Sequence, residues 1–597
     1  MISSLLLGSA IEWTSWSNAL LSRAQERDRA VFVATGSGEP VAVLEEGPAA
    51  DVLKAHFVTA RVDPDERPDV VELVRLTWSV VSDSPAPPEG TPLWAAFTPS
   101  LHPLAAGVLT DISPEALAAR LSSLALALQE RRGEVEAAAG VAAARVVASQ
   151  SPEPPQGPLD RAVLDRALRR AIEAGDAVPT PGGIRLLLAE AAADGAGSLR
   201  KQVSARLLRL AATPEPGDLA GRAMRLRALV EGYAATGTES LAVESQNLAS
   251  RLAGGPRDED GAFLESAGGR AFAYQNGLAI GALAVSSSTL GRVGDSIAAA
   301  RAAATVLAIL GPWKSLSRCA GGASSCGPAF LEDYAFLTEG LLDLYDATGE
   351  ARWRDAAREG VDAALARFLD SAGGGFFDTD AAHAPLPARL KSPYDGARPS
   401  ANGVMATVLL RLSRASGEKR YADIGRDTVN AFRGDLQRAP RGVETLAAAA
   451  ESWTSPQVLQ TQQVPQPARE TRGGVEVEAA PSRRLVRPGD GFEVRIRFKA
   501  AASWAINGHR PPLDDLVGLS VSVPGTHFVV GAVRYPTCAA CPGETEVVVP
   551  LRVPLGAQEG DAAVRLSTRF QPCRSSECLA PETIVLDVPL KVESRGR

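Results

Sequence analysis

From about residue 159 to residue 455 the chain repeats one pattern, apolar residues at helical spacing broken at short intervals by Gly, Pro or Asp. Segments 159–174, 184–194, 198–212, 217–236, 240–253, 295–310, 329–347, 351–369, 402–416, 419–433 and 442–453 all carry it. About a dozen helices with short loops cannot each bury an apolar stripe alone, so they must stack in pairs. An open stack needs polar caps at both ends, and closure removes that need. The pattern therefore predicts a toroid of paired helices.

The pattern stops on both sides. At 151–158 the run SPEPPQGP reads as a proline-rich spacer, and 456–474, rich in Gln and Pro, reads as a linker. Beyond it the period changes to two, in Val475-Glu-Val-Glu, Phe492-Glu-Val-Arg-Ile-Arg-Phe, Leu519-Ser-Val-Ser-Val and Val564-Arg-Leu-Ser, which predicts a β-sandwich over 475–597. Residues 1–112 alternate helix-like and strand-like segments (Trp16 to Glu26, Ala30–Ala34, 48–56, Phe57–Val62, Leu93–Phe97), as an α/β unit does. Residues 113–158 read as a helical connector ending in the spacer. The expected fold class is thus multidomain: α/β, then all-α over 159–455, then all-β.

With 597 residues, 45% hydrophobic and 22% charged, the chain has the composition of a folded multidomain protein. Its net charge of −8 is spread without a basic block, which argues against nucleic acid as a partner. No run reaches the ~18 apolar residues of a spanning helix. The best, around 297–310, contains Arg301, so no membrane is expected. MISSLLLGSAIEW has no Lys or Arg before its apolar run and meets Glu12 early, which predicts a cytoplasmic protein, or a periplasmic one if the true start lies upstream.

Several phrases resemble a known family. Ile11-Glu-Trp-Thr-Ser-Trp16, Val62-Asp-Pro-Asp-Glu-Arg-Pro-Asp69 and Thr91-Pro-Leu-Trp-Ala-Ala-Phe-Thr-Pro99 resemble the thioredoxin-like domain of the spermatogenesis-associated-protein type thioredoxin-domain family. Leu331-Glu-Asp-Tyr-Ala-Phe-Leu-Thr-Glu-Gly340, Gly373-Gly-Gly-Phe-Phe-Asp378 and Lys391-Ser-Pro-Tyr-Asp-Gly-Ala-Arg-Pro-Ser-Ala-Asn402 resemble its six-hairpin (α/α)6 toroid. The family carries Cys-x-x-Cys after its first strand, whereas Ala34–Val43 holds no cysteine, so this domain cannot run dithiol exchange. Pro92 resembles the fold's cis-proline. Where the family has Ser-Trp-Asn-Gly, this chain reads Tyr274-Gln-Asn-Gly277. The tail resembles the immunoglobulin-like N-terminal domain of the membrane thiol:disulfide interchange protein, through Trp504-Ala-Ile-Asn-Gly-His509 and Phe570-Gln-Pro-Cys-Arg-Ser-Ser-Glu-Cys-Leu-Ala-Pro581. That resemblance implies that Cys573 and Cys578 are a redox pair.

The six-hairpin resemblance implies glycosidase- or epimerase-like chemistry, which needs acid and base groups. Glu332, Asp333, Asp378 and Asp395 are the candidate catalytic carboxylates, since such pairs cleave glycosidic bonds when one is protonated and the other ionised. Glu339 shares a helix face with Glu332. For each the plainer reading, an exposed carboxylate, a helix cap or a loop salt bridge, is the favoured one. An epimerase of this fold would use two histidines, and 159–455 contains only His383, expected to be solvated; glycosidase-like chemistry is favoured if the toroid is an enzyme. Lys391, Tyr394, Ser400 and Asn402 suit the mouth of a polar-ligand cavity. Asn276 and Tyr334 join them as expected contacts to a carbohydrate-like ligand.

Cys538, Cys541, Cys573 and Cys578, spaced C-x2-C then C-x4-C, fit two local disulfides, a zinc site or idle thiols. Cys319 and Cys326 are expected in a mobile loop, with pairing as the alternative. No metal or cofactor is assigned. Three readings stand: a toroid holding a carbohydrate-like ligand over a redox-silent scaffold, a thiol-disulfide exchanger with a protein partner acting through Cys573 and Cys578, and a non-catalytic interaction scaffold.

Overall fold

The computed structural model describes residues 11–36, 44–88, 90–149, 159, 161–173, 181–193, 198–290, 292–321, 326–380, 382–383, 385–387, 389–438, 442–454, 468–483, 485–501, 503–511, 513, 516–524, 528–554, 557–574 and 577–593. The 151–158 and 456–467 stretches and most of the segment at which a Cys-x-x-Cys would stand, 37–43, lie outside the described residues.

The first unit is a four-stranded sheet in the order Phe57–Val62, Ala30–Thr35, Leu93–Phe97, Pro103–Val108, the first pair parallel and the others antiparallel. Buried on both faces, its strands read as unbroken apolar runs. Prolines at the first turn start three of its helices, Pro48–His56, Pro68–Ser82 and Pro114–Glu130, where a missing N–H costs nothing. Helices Pro114–Glu130 and Arg132–Ser149, read above as a connector, pack onto this sheet, with Leu117 and Leu121 against Phe32 and Trp94, and Val146 against the opposite face. No peptide bond among the described residues is cis, so Pro92 follows a trans bond and the expected cis-proline is corrected.

The toroid closes. Six inner helices, Pro181–Ala193, Leu219–Thr236, Ala273–Leu290, Leu331–Thr348, Ala401–Ser416 and Glu444–Thr454, each pack on the next, and the last packs on the first. Six outer helices, Arg161–Glu173, Ser198–Ala212, Glu239–Ala253, Val293–Ile309, Ala351–Phe368 and Lys419–Ala431, alternate with them along the chain. The tightest inner crossing is made by glycine. A Cβ on Gly277 would stand 2.5 Å from the backbone of Phe336 and Leu337, and one on Gly340 would stand 2.3 Å from the Gly277 carbonyl oxygen.

The C-terminal unit is the expected sandwich, with sheets ordered Val529–Val530, Glu544–Arg552, Gly491–Ala500, Val475–Pro481, Ala468–Arg472 and Ser520–Ser522, Gly560–Phe570, Glu582–Val592, Leu485–Val486. Alternate side chains fill its core, where Phe498 meets the edge of Phe570 at 5.6 Å. A third small sheet, Ala540–Pro542, Ala505–Asn507, Pro572–Arg574, Glu577–Cys578, carries Cys541, Cys573 and Cys578, with Cys538 just before its first strand.

The toroid separates the other two units. The N-terminal ends of its inner helices at Tyr274 and Asp333 meet the first unit. The C-terminal ends meet the sandwich, where Arg495 donates to the Tyr345 hydroxyl at 3.0 Å and Arg552 to the Ser288 carbonyl. Helices of 18 residues hold the two contacts about 27 Å apart.

Candidate functional site

Two places in the molecule concentrate chemistry. At the toroid mouth, Arg318 is fully buried and binds Asp333 at 2.7 Å and Glu332 at 2.7 Å, and Arg398 binds Glu332 at 3.0 Å. Burial pushes the Glu332 carboxyl up, but Arg398 and Arg318 outweigh it and hold it below the usual carboxylate range. Asp333 also caps its helix, accepting the N–H of Phe330 at 2.8 Å and of Tyr274 at 3.1 Å. Asp378 lies nearby with the opposite electrostatics. Burial and the charges of Glu72, Glu332 and Asp69 push its carboxyl well above the ordinary value.

The mouth is covered by the first unit. Asp65, in the loop before the Pro68–Ser82 helix, accepts the Tyr274 hydroxyl at 2.5 Å and lies 3.9 Å from Arg398, and its carbonyl oxygen accepts from Arg318. Arg270 reaches Asp63 and Glu66 of the same loop. The Tyr274 ring is flanked by two guanidiniums, Arg398 at 4.7 Å and Arg318 at 5.0 Å. In the family whose motif this stretch resembles the aromatic stands one position later, so the motif does not single out Tyr274. The partly matching loop Val62–Asp69 was legible, but not what it touches.

Deeper in the ring a second ion network fills the space between inner helices. Glu339 pairs with both Arg185 nitrogens at 2.8 Å, Arg227 joins Asp343 at 2.6 Å, and Arg411 joins Asp343 at 2.8 Å. Burial opposes the Glu339 charge, but Arg185 and Arg227 hold its carboxyl down at about 2. Glu339 therefore faces the ring interior like Glu332, two turns further in, in a separate cluster. The neighbouring cavity, lined by Ile184, Arg185, Arg227, Glu231 and Pro399, measures about 20 Å³, room for one water rather than a sugar ring.

The remaining expected ligand contacts are engaged within the fold. Asn276 accepts the Phe263 N–H and donates to the Phe263 and Phe272 carbonyls; Asn402 does the same with the Phe376 N–H and the Phe376 and Ser392 carbonyls. Both are fully buried with both amide hydrogens spent, so they correct the expectation of ligand contact. Tyr334 donates to the Trp313 carbonyl at 2.6 Å, Lys391 to Asp370 at 2.8 Å and the Gly374 carbonyl, and Ser400 caps the Ala401–Ser416 helix. Tyr394, half exposed, donates to Asp435 at 3.1 Å. Asp395 accepts N–H groups of Ser400 and Thr445 beside Glu444, and burial raises its carboxyl against those bonds. His383 is buried rather than solvated, bonded to Asp380 at 2.8 Å and packed 4.3 Å from the Phe330 ring.

The second place is the cysteine sheet. All six cysteines are paired, as Cys319–Cys326, Cys538–Cys541 and Cys573–Cys578. The sulfurs of the tail are thus bonded to one another, which corrects both the zinc and the idle-thiol alternatives. Among the described residues no group of three or more His, Cys, Asp or Glu is placed to hold a metal. Cys319 and Cys326 are buried and paired with each other, with Arg270 against the Cys326 sulfur, and the residues 322–325 between them lie outside the described residues. Cys541 is buried in the sandwich core opposite Ile506. Cys573 and Cys578 stand opposite each other in a hairpin, Cys578 exposed at the sheet edge, with the Arg574 guanidinium 5.2 Å over the Trp504 ring.

Fold and site together define a thioredoxin-like domain joined to an (α/α)6 toroid and a disulfide-bearing β-sandwich. Residues 5–145 match the model of the thioredoxin/DsbH-like family described as a protein of unknown function, DUF255. Over 133 residues the chain is 42% identical to spermatogenesis-associated protein 20 of Homo sapiens, and over 128 residues 43% identical to that of Mus musculus. These matches cover 22% and 21% of this chain and only 17% and 16% of the relatives. Among solved structures, the unsaturated glucuronyl hydrolase of Bacillus sp. GL1 aligns over 49% of this chain and 94% of its own with 14% identity and a TM-score of 0.40. A D-mannose isomerase aligns over 50% and 99% with 10% identity and a TM-score of 0.40. No described helix is long and apolar enough to cross a membrane.

Proposed function

We propose that the protein exchanges thiols and disulfides with a protein partner through Cys573 and Cys578, carried on a body made of a redox-silent thioredoxin-like domain and a closed toroid. The observation that carries this reading is the exposure of Cys578 at a sheet edge, where a partner thiolate can reach it, while Cys541, Cys319 and Cys326 are buried. A partner thiolate attacks the Cys578 sulfur, the bond to Cys573 breaks, and Cys573 leaves as the thiolate. The partner's second thiol then attacks the mixed disulfide, so two electrons pass from the partner dithiol to Cys573 and Cys578. Three disulfides in one chain fit an oxidising compartment, and we infer that in place of the cytoplasmic location expected from the N-terminus.

The test is a thiol titration of the whole protein and its Cys573→Ser variant before and after a mild dithiol. Two thiols released from the wild type and assigned to Cys573 and Cys578 support the reading. A pair that stays oxidised while the protein remains folded overturns it.

A second reading, a carbohydrate-like ligand at the toroid mouth, is favoured by one observation: Asp378 and Glu332 are pushed in opposite directions, the signature of an acid and its ionised partner. It requires the Asp63–Arg67 loop to leave the mouth. Calorimetric titration of the Asp65→Ala variant with neutral and acidic oligosaccharides decides it. Binding by the variant and not by the wild type supports it, and no binding by either removes it.

A further inference from the structure

The hairpin that bears the exposed disulfide is clamped by a side chain that reaches three segments at once. Gln571 immediately precedes the hairpin and is buried. Its amide oxygen accepts the N–H of Val517 at 2.8 Å and the side-chain amide of Asn507 at 3.2 Å. Its amide nitrogen donates to the carbonyl oxygen of Leu579, the residue after Cys578, at 3.0 Å. The Leu579 N–H in turn donates to the Pro572 carbonyl at 2.9 Å. Both ends of the hairpin are therefore fixed by bonds that do not involve sulfur. Asn507 adds to the frame: its side-chain amide also reaches the Val517 carbonyl at 3.3 Å, and its backbone N–H donates to the Gln571 carbonyl at 3.2 Å.

We propose that Gln571 is the positioning residue of the Cys573–Cys578 pair, holding the two thiols opposite each other after reduction and so setting how readily the disulfide re-forms. The inference rests on the exchange reading above and adds to it the group that sets the equilibrium. When the disulfide is reduced, two thiols on a free six-residue hairpin drift apart and their effective concentration falls. Two thiols on a hairpin still pinned at Leu579 and Pro572 remain face to face, and the disulfide is favoured. A side chain that only glued the sandwich together would stabilise the oxidised and the reduced protein alike and leave the redox equilibrium where it was.

Gln571→Glu separates the two arms, since a carboxylate keeps the acceptor toward Val517 and Asn507 and loses the donor toward Leu579. The whole protein is equilibrated in glutathione buffers of graded ratio, the thiols are trapped by alkylation, and the peptide carrying Cys573 and Cys578 is quantified by mass. The expected result is a shift toward the dithiol of about tenfold in the equilibrium constant, equal to about 30 mV for a two-electron couple. Gln571→Met, which has the same length and neither polar group, is expected to shift it in the same direction and serves if the glutamate variant does not fold. A variant that folds and titrates at the wild-type ratio overturns the role of Gln571 while leaving the exchange reading intact. A wild-type pair that never exchanges with glutathione or with a protein dithiol overturns both.

Discussion

At the scale of single residues, buried charge dominates the toroid. Arg318 is fully buried and is the shared partner of Glu332 and Asp333, so removing it leaves the fully buried Asp333 carboxylate without a cation and Glu332 with Arg398 alone. Arg318→Met is expected to cost about 3–5 kcal/mol, read from the denaturation midpoint of the full chain. Asp378 works the other way. Its folded pKa is raised by burial and by Glu72, Glu332 and Asp69, so its favourable contribution is complete below its unfolded value of about 3.9 and is lost as the pH climbs through the raised value. Asp378→Asn should therefore match the wild type in melting temperature near pH 3.5 and exceed it near pH 8. A wild type that is equally or more stable at pH 8 refutes the assignment. That Asp378 is a candidate acid was legible from its residue type and its glycine-rich approach. That Glu332 stands ionised beside it was not, because only the fold brings Arg398 from 66 positions away. Asn276 and Asn402 were misread for a related reason. Polar residues in a motif suggest a ligand, yet each side chain completes the hydrogen bonding of a backbone turn, at Phe263 and at Phe376. The repeated Gly261-Ala-Phe263 and Gly374-Gly-Phe376 were the available signal that the two turns are equivalent.

At the scale of elements, the helix Ala273–Leu290 shows where periodicity fails. Its sequence AYQNGLAIGALAVSSSTL is apolar or small all round, so no stripe stands out, and it is missing from the segments that spacing picks out. It is nonetheless buried along most of its length, because it is an inner helix with neighbours on every side. The outer helices, with one face in water, were easy to read; Lys419–Ala431 alternates buried Tyr421, Gly425, Thr428 and Val429 with charged residues. Inner helices cross closely only where side chains vanish. Gly277→Ala would drive its Cβ into the backbone of Phe336 and Leu337, atoms that cannot swing away, and is expected to cost about 1–3 kcal/mol. Thermal unfolding of the variant checks this, and a loss below a few tenths would mean that the two helices can separate. In the sandwich the strict alternation of Gly491–Ala500 made the strand plain. The two- and three-residue strands of the cysteine sheet, Glu577–Cys578 among them, are too short to show any period.

At the scale of the whole molecule, the first unit acts as the toroid's lid. Asp65→Ala leaves the buried Tyr274 hydroxyl without its acceptor and is expected to weaken the interface by about 1–3 kcal/mol. In scanning calorimetry the variant should separate the unfolding of the first unit from that of the toroid, and unchanged transitions would show that Asp65 does not hold the lid. By itself the sequence determined the order of the three units, the helical and strand periods that define them, and the absence of a dithiol from the first, because periodicity, turn residues and cysteine positions are local properties of the chain. Which carboxylates are neutralised, which cysteines pair and which of them reaches solvent, and that the mouth of the ring is closed by an acidic loop some two hundred residues earlier were decided by the tertiary structure alone. Desolvation, pairing and access depend on groups that are distant in sequence and meet only when the ring closes and the units dock.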